Sequence, residues 1–224
     1  MRILHLLSLS SLSMFCLSAY AVTSIPIARF ETESLSRWQE KSFDGYTQYN
    51  IVTLSGQRVL KADSQGSASI LAKQLKIDLK KTPYLNWSWR VENNLPRLNE
   101  RTKQGDDYAA RIYIVQGGNT RWSTIALNYV WSSNQIQGSR WNNAFVGKRA
   151  KMLAVRGQAD ATRNWTNEKR NVYQDLIEFF GDKGSDWKNE QAYRFIDAVA
   201  IMTDTDNSQR SAIAYYGDIY FSEK

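Results

Sequence analysis

Alternation of apolar and polar residues with a period of two runs through most of this chain, and it constrains the fold more than any other feature. In Asn86-Trp87-Ser88-Trp89-Arg90-Val91, both tryptophans and Val91 share one face while Ser88 and Arg90 share the other. That is the pattern of a strand with one side against a core. Tyr108 to Val115 sets Tyr108, Ala110, Ile112 and Ile114 against Ala109, Arg111, Tyr113 and Val115. Ser123 to Trp131 places Ile125, Leu127, Tyr129 and Trp131 on one side. Thr47 to Leu54 leads through Ser55-Gly56 to Arg58–Ala62 as a hairpin would. Lys151 to Arg156, Ala192 to Thr203 and Ser211 to Ser222 read as further strands, separated by turn material such as Gln116-Gly117-Gly118-Asn119 and Asp204-Thr205-Asp206-Asn207.

One stretch changes period. After Thr166, a suitable N-cap, Val172, Tyr173, Leu176, Phe179 and Phe180 recur at helical spacing until Gly181 stops the run. One amphipathic helix is therefore expected near 166–180. Roughly ten strands with so little helix predict a mainly β protein, an antiparallel two-sheet β-sandwich of jelly-roll-like form. No repeat, low-complexity tract or linker divides the chain, so residues 22–224 are expected to form a single domain.

Residues 1–21 read as a Sec-type signal peptide. Arg2 gives a positive start, an apolar stretch runs from Ile3 to Leu17, and Ala19-Tyr20-Ala21 offers a cleavage site. Cys16 follows Ser13-Met14-Phe15 rather than the small residues of a lipidation site. Cleavage after Ala21 and a periplasmic or secreted protein without a membrane span are expected, the alternative being a retained N-terminal anchor.

The leader also contains the only Cys (Cys16) and the only His (His5). The mature chain would then have no disulfide and no Ser-His-Asp or Cys-His nucleophile. It would also lack any Cys- or His-ligated zinc. Carboxylates, Tyr, Lys and Arg remain as reagents, with hard oxygen ligands for a metal such as calcium. The net charge of +7 falls by one with Arg2, and its excess concentrates at Arg140, Lys148, Arg149, Lys151, Arg156 and Arg163. Such a run suits a polyanion, or simply keeps a surface solvated.

Several stretches together resemble a bacterial family of unknown function, DUF3047. They are Trp87-Ser88-Trp89-Arg90-Val91, Gly105-Asp106-Asp107-Tyr108-Ala109-Ala110-Arg111-Ile112-Tyr113, Asn128-Tyr129-Val130-Trp131, Glu168-Lys169-Arg170-Asn171-Val172-Tyr173, Ala200-Ile201-Met202-Thr203-Asp204-Thr205-Asp206-Asn207 and Tyr216-Gly217-Asp218-Ile219. The resemblance spans nearly all of the mature chain. It implies an exported protein with a jelly-roll-like sandwich, and it brings no catalytic residue with it.

Three groups of residues carry possible chemistry. Gly105-Asp106-Asp107 precedes a strand and Asp204-Thr205-Asp206-Asn207 joins two, so their oxygens either suit calcium or cap turns through backbone hydrogen bonds. Arg111 sits in an otherwise apolar strand and needs a carboxylate partner if buried. With Arg170 it would grip an anionic ligand, or hold sheet to helix. Trp87 and Trp89 are expected in the core, whereas Trp122, Trp141 and Trp165, among Arg121, Arg140, Asn142, Asn143 and Asn164, are candidates for a sugar-stacking face.

The functional expectation is a non-catalytic protein that binds a glycan or another anionic, polyhydroxylated envelope ligand. Its candidate site comprises Asp106, Asp107, Arg111, Asn128, Trp141, Arg170, Asp204, Asp206 and Asn207. A carbohydrate-active hydrolase or lyase working by carboxylate or Tyr/Arg chemistry is the first alternative. A structural part of an envelope assembly is the second. Nucleic acid is not expected as a partner, since no recognisable binding motif is present.

Overall fold

The computed structural model describes residues 24–117 and 123–224. The leader with His5 and Cys16, and the candidates Arg121 and Trp122, lie outside the described residues. Among the described residues there are thirteen strands: β1 (Ser24–Ala28), β2 (Gln39–Asp44), β3 (Gln48–Leu54), β4 (Gln57–Gln65), β5 (Ala68–Asp78), β6 (Tyr84–Val91), β7 (Ala110–Gln116), β8 (Ile125–Trp131), β9 (Arg140–Asn143), β10 (Gly147–Arg156), β11 (Thr166–Asn171), β12 (Phe195–Met202) and β13 (Ser211–Ser222). Two helices, α1 (Val172–Phe180) and α2 (Asp186–Tyr193), lie between β11 and β12.

The strands form two sheets. A six-stranded sheet runs β11-β6-β13-β4-β3 with β1 on β13, and a seven-stranded sheet runs β2-β5-β12-β7-β8-β10-β9. Among the described residues every pairing is antiparallel except β8 with β10, which run parallel. The expected hairpin joins β3 to β4 through Ser55 (φ 52°) and Gly56 (φ 81°). Two successive positive φ values are what a two-residue hairpin turn demands of its central residues.

The period-two face of β6 becomes the core. Trp87, Trp89 and Val91 are buried and meet Tyr129 and Trp131 of β8 across the sandwich. Trp87 stacks on Tyr129 with centroids 5.3 Å apart, and Trp89 meets Trp131 edge-on at 5.9 Å. Ile112 and Ile114 of β7 and Val199 and Ile201 of β12 extend this layer. The burial is large and apolar, which is how a chain of this kind offsets its conformational entropy.

The helix is shorter than expected. Thr166–Asn171 is strand β11, paired with β6 from Thr166 opposite Trp89 to Asn171 opposite Tyr84. Those polar residues carry no helical apolar stripe, and the free edge of β6 takes them instead. Asn171, not Thr166, is the N-cap, its side chain accepting from the Gln174 N–H at 3.0 Å. Gly181 (φ 95°) closes α1 as expected. The segment from Ala192 to Tyr193 ends α2 rather than opening β12, because the Ser185 side chain caps a polar helix there. None of the described helices is long and apolar enough to cross a membrane.

Trp89 is fully buried and its Nε1 donates to Glu168 Oε1 at 3.1 Å. Trp89→Ala should lower unfolding stability by ~3–5 kcal/mol, read from urea midpoints.

Candidate functional site

The outer face of the seven-stranded sheet carries most of the expected site. Arg111 lies between the core residues Ala110 and Ile112, and Asn128 between Leu127 and Tyr129, so both point away from the core. Water does not reach them there. The chain between β6 and β7 folds back over this face, and Tyr108, Val130, Trp141, Met152 and Ala154 make a second small core beneath it. Glu100 pins that connection: its carboxylate accepts from the Ser133 N–H at 2.6 Å and from the Ser133 hydroxyl at 2.9 Å. Burial raises the Glu100 pKa against those donors.

Arg111 is the centre of the buried network. Its guanidinium lies between two rings, 4.9 Å from the Tyr108 centroid and 4.5 Å from that of Tyr113. Nε donates to Asn128 Oδ1 at 3.2 Å and Nη1 to Asp204 Oδ2 at 3.3 Å. Asn128 in turn donates to the Lys151 carbonyl at 3.2 Å. Asp106 accepts from the Tyr108 hydroxyl at 3.0 Å and from Asn143 Nδ2 at 2.7 Å. Its pKa is raised by burial, although Arg111 and those donors oppose the rise. Asp107 accepts from the backbone N–H groups of Asn207 and Ser208 at 3.1 and 2.6 Å, stitching the β12–β13 loop to the entry of β7.

Seven of the nine expected residues therefore gather in space: Asp106, Asp107, Arg111, Asn128, Asp204, Asp206 and Asn207. Of these only Asp206 and Asn207 are even half-exposed. Trp141 also packs here, against Tyr108 at 6.4 Å, but it is buried and presents no stacking face. Arg170 is elsewhere. It makes two hydrogen bonds to Asp175, which also accepts from the Tyr129 hydroxyl at 2.6 Å, on the core side of the seven-stranded sheet. The joint Arg111–Arg170 fork does not form, because the sheet separates the two guanidinium groups.

An open groove lies on the other sheet. A hollow of about 630 Å³ on the outer face of the six-stranded sheet is bordered by Trp165, Ser88, Asn167, Asp218, Arg58, Gln57 and Glu31. Its floor is made by a bulge. The register of β13 against β6 shifts between Tyr216 and Ile219, at Gly217 and Asp218. A Cβ on Gly217 would come within 2.2 Å of Ser88 Oγ and 3.7 Å of the Trp165 ring. Glycine there lets the indole and Ser88 close over the backbone. Asp218 Oδ1 accepts from the Phe30 N–H at 3.0 Å, and burial raises its pKa. A second hollow of about 310 Å³ adjoins through Ser88, Asn167 and Asp218 and reaches Lys169 and Tyr220. Trp165 is half-buried and Tyr220 is 41% exposed, so the track has an aromatic residue towards either end.

Trp165 was legible as a candidate from its Arg and Asn neighbours. Glu31, Arg58 and Asp218 were not, since they come from three distant stretches that meet only in the folded chain.

Such an architecture defines a two-sheet β-sandwich with a surface groove. The chain belongs to the family described as protein of unknown function (DUF3047), whose model matches residues 36–220. No curated protein sequence is significantly similar to it. Among solved structures it is similar to the family 11 carbohydrate-binding module from Clostridium thermocellum in complex with a β-1,3-1,4-mixed-linked tetrasaccharide, at 11% identity and TM-score 0.46, covering 90% of this chain and 96% of that one. It is also similar to the K1 cleaved adhesin domain of Lys-gingipain from Porphyromonas gingivalis W83, at 11% identity and TM-score 0.41, covering 90% and 99%. A third is TmCBM61 in complex with β-1,4-galactotriose, at 11% identity and TM-score 0.39, covering 86% and 92%.

Two substitutions test the buried network. Arg111→Ala leaves Asp204 buried without its guanidinium and should cost ~3–5 kcal/mol of unfolding stability. Gly105→Ala should cost ~1–3 kcal/mol, because its Cβ would fall 2.4 Å from the Asn99 carbonyl oxygen, a backbone atom that cannot swing away. Urea unfolding of each variant against the parent measures both.

Proposed function

We propose that the protein is an exported, non-catalytic module that binds a glycan in the groove between Trp165 and Asp218. The observation that carries this reading is the groove's make-up. A half-buried indole and a carboxylate (Glu31) from connecting segments stand by an amide (Asn167), a hydroxyl (Ser88), a carboxylate (Asp218) and a guanidinium (Arg58) carried by strands. A pyranose stacks its C–H face on an indole and directs its hydroxyls to such polar groups, at little ordering cost when strands hold them. Two carboxylates against the one guanidinium favour a neutral glycan over the anionic ligand expected from the net charge. The reading rests on the groove; the sugar complexes among the similar structures carry no part of it.

A hydrolase is the second reading, because Glu31 and Asp218 border one groove and burial raises the Asp218 carboxyl, as a general acid requires. Binding comes first because both carboxylates already have structural duties. Glu31 Oε2 accepts from the Arg58 N–H at 3.0 Å, and Asp218 Oδ1 holds Phe30.

The protein is to be screened on a panel of neutral and anionic glycans, with Trp165→Ala alongside. Retention of a neutral glycan, weakened about tenfold or more by Trp165→Ala, is the expected result. Equal retention by parent and variant would remove the groove from the account. Shortening of the bound glycan that stops in Glu31→Gln would establish the hydrolase instead.

A further inference from the structure

The β12–β13 connection and the entry to β7 bring three carboxylates to one point. Asp107, Asp204 and Asp206 each place an oxygen so that all three lie within 4.8 Å of one another. Two of the three are already fixed. Asp107 is held by the Asn207 and Ser208 N–H groups, and Asp204 by Arg111. Asp206 stands half-exposed at the mouth, where ligand waters could complete a coordination shell.

A separate observation points into this cluster. Asp204 is 2% exposed, and while Oδ2 meets Arg111, its Oδ1 is enclosed and has no hydrogen-bond partner. An enclosed carboxylate oxygen without a donor is among the costliest arrangements a protein can hold, and it calls for a counter-charge. Ser208 Oγ, in the same loop, is likewise enclosed without a partner. The charge balance agrees. Asp106, Asp107, Asp204 and Asp206 act on one another, and Arg111 is the guanidinium set among them.

We propose that Asp107, Asp204 and Asp206 bind a hard divalent cation, calcium in preference to magnesium, which ties the β12–β13 loop to the start of β7. The donors are all oxygens, as calcium requires. Asn207 sits beside them, its amide 3.0 Å from Asp107 Oδ1 and 3.1 Å from Asp206 Oδ1. Turning that amide over would present its carbonyl oxygen to the same point. Three carboxylates, the Asn207 carbonyl and waters at the open side suit the adaptable six-to-eight-oxygen shell of calcium, whereas magnesium holds to a stricter octahedron. A bound ion would relieve the repulsion among the acids, meet the free Asp204 oxygen and leave the Arg111 pair intact.

The experiment is titration calorimetry and thermal unfolding of chelator-treated protein with calcium chloride, magnesium chloride and sodium chloride at matched ionic strength. One calcium per chain is expected, with Tm rising by several degrees at saturation, less for magnesium and not at all for sodium. Asp206→Asn should weaken calcium binding by more than about tenfold, while the Tm of the metal-free protein holds or rises because a repelling charge is gone. Asp206→Ser provides the same test if the Asn variant does not fold. Absence of both heat and Tm shift with calcium overturns the proposal and leaves the acids sharing protons. An undiminished calcium response in both variants also overturns it, by placing the ion elsewhere.

Discussion

The fold depends on two pairs of rings that press one sheet onto the other. Trp87 and Trp89 project from β6 at consecutive core positions, and Tyr129 and Trp131 answer them from β8. Each of these side chains is almost wholly removed from water. Because side chains alternate along a strand, committing these four inward also commits Ser88, Arg90, Asn128 and Val130 outward. Both outer faces follow from that one choice. Ser88 becomes part of the groove wall, and Asn128 becomes part of the Arg111 network.

The two outward faces then diverge because of what lies over them. On the seven-stranded sheet, the connection pinned by Glu100 lays Tyr108 over Arg111 and against Trp141 of β9. A guanidinium in that position is costly unless fully engaged, and it is engaged on every side, by two ring faces, an amide and a carboxylate. On the six-stranded sheet, among the described residues, no such connection covers Asn167, Ser88 and Asp218, and the bulge at Gly217 leaves a hollow. Polar residues of similar type therefore do different work: enclosed, they fix the backbone, and open, they are available to a ligand.

What could be read in the sequence follows the same division. The alternation in Tyr84–Val91 or Ile125–Trp131 states which residues share a face, and the structure agrees with those assignments. The gathering of Asp106, Asp107, Arg111, Asp204 and Asp206 was also legible, because acids in strand-flanking loops and a lone Arg in an apolar strand must find one another. Their burial was not. Periodicity describes a strand's two sides but not whether a distant connection will lie over one of them, so Trp141 read as an exposed indole although Tyr108 and Arg101 enclose it. Strands β1, β2, β5, β9 and β11 were missed because their alternation is weak or short. In β11, the polar run Thr166–Asn171 was absorbed into the helix beginning at Val172. The groove was hidden for a different reason, since a register shift at Gly217 is a property of two strands together and not of either alone.

The acidic cluster, in the β12–β13 loop between the two sheets, shares no residue with the groove, which has a thermodynamic consequence. A cation bound only by the folded state would add to stability through linkage alone. It would change ligand affinity in the groove only if the groove had two arrangements that the ion distinguished. The strands argue against such a second arrangement. Ser88, Asn167 and Gly217 sit on β6, β11 and β13, whose core sides are locked by Trp87, Trp89 and Tyr216, all buried. Packing as dense as that resists graded deformation. The two features are thus separable: Asp107 and Asp204 tie the β12–β13 loop to the start of β7, and the bulge at Gly217 and Asp218 shapes the hollow.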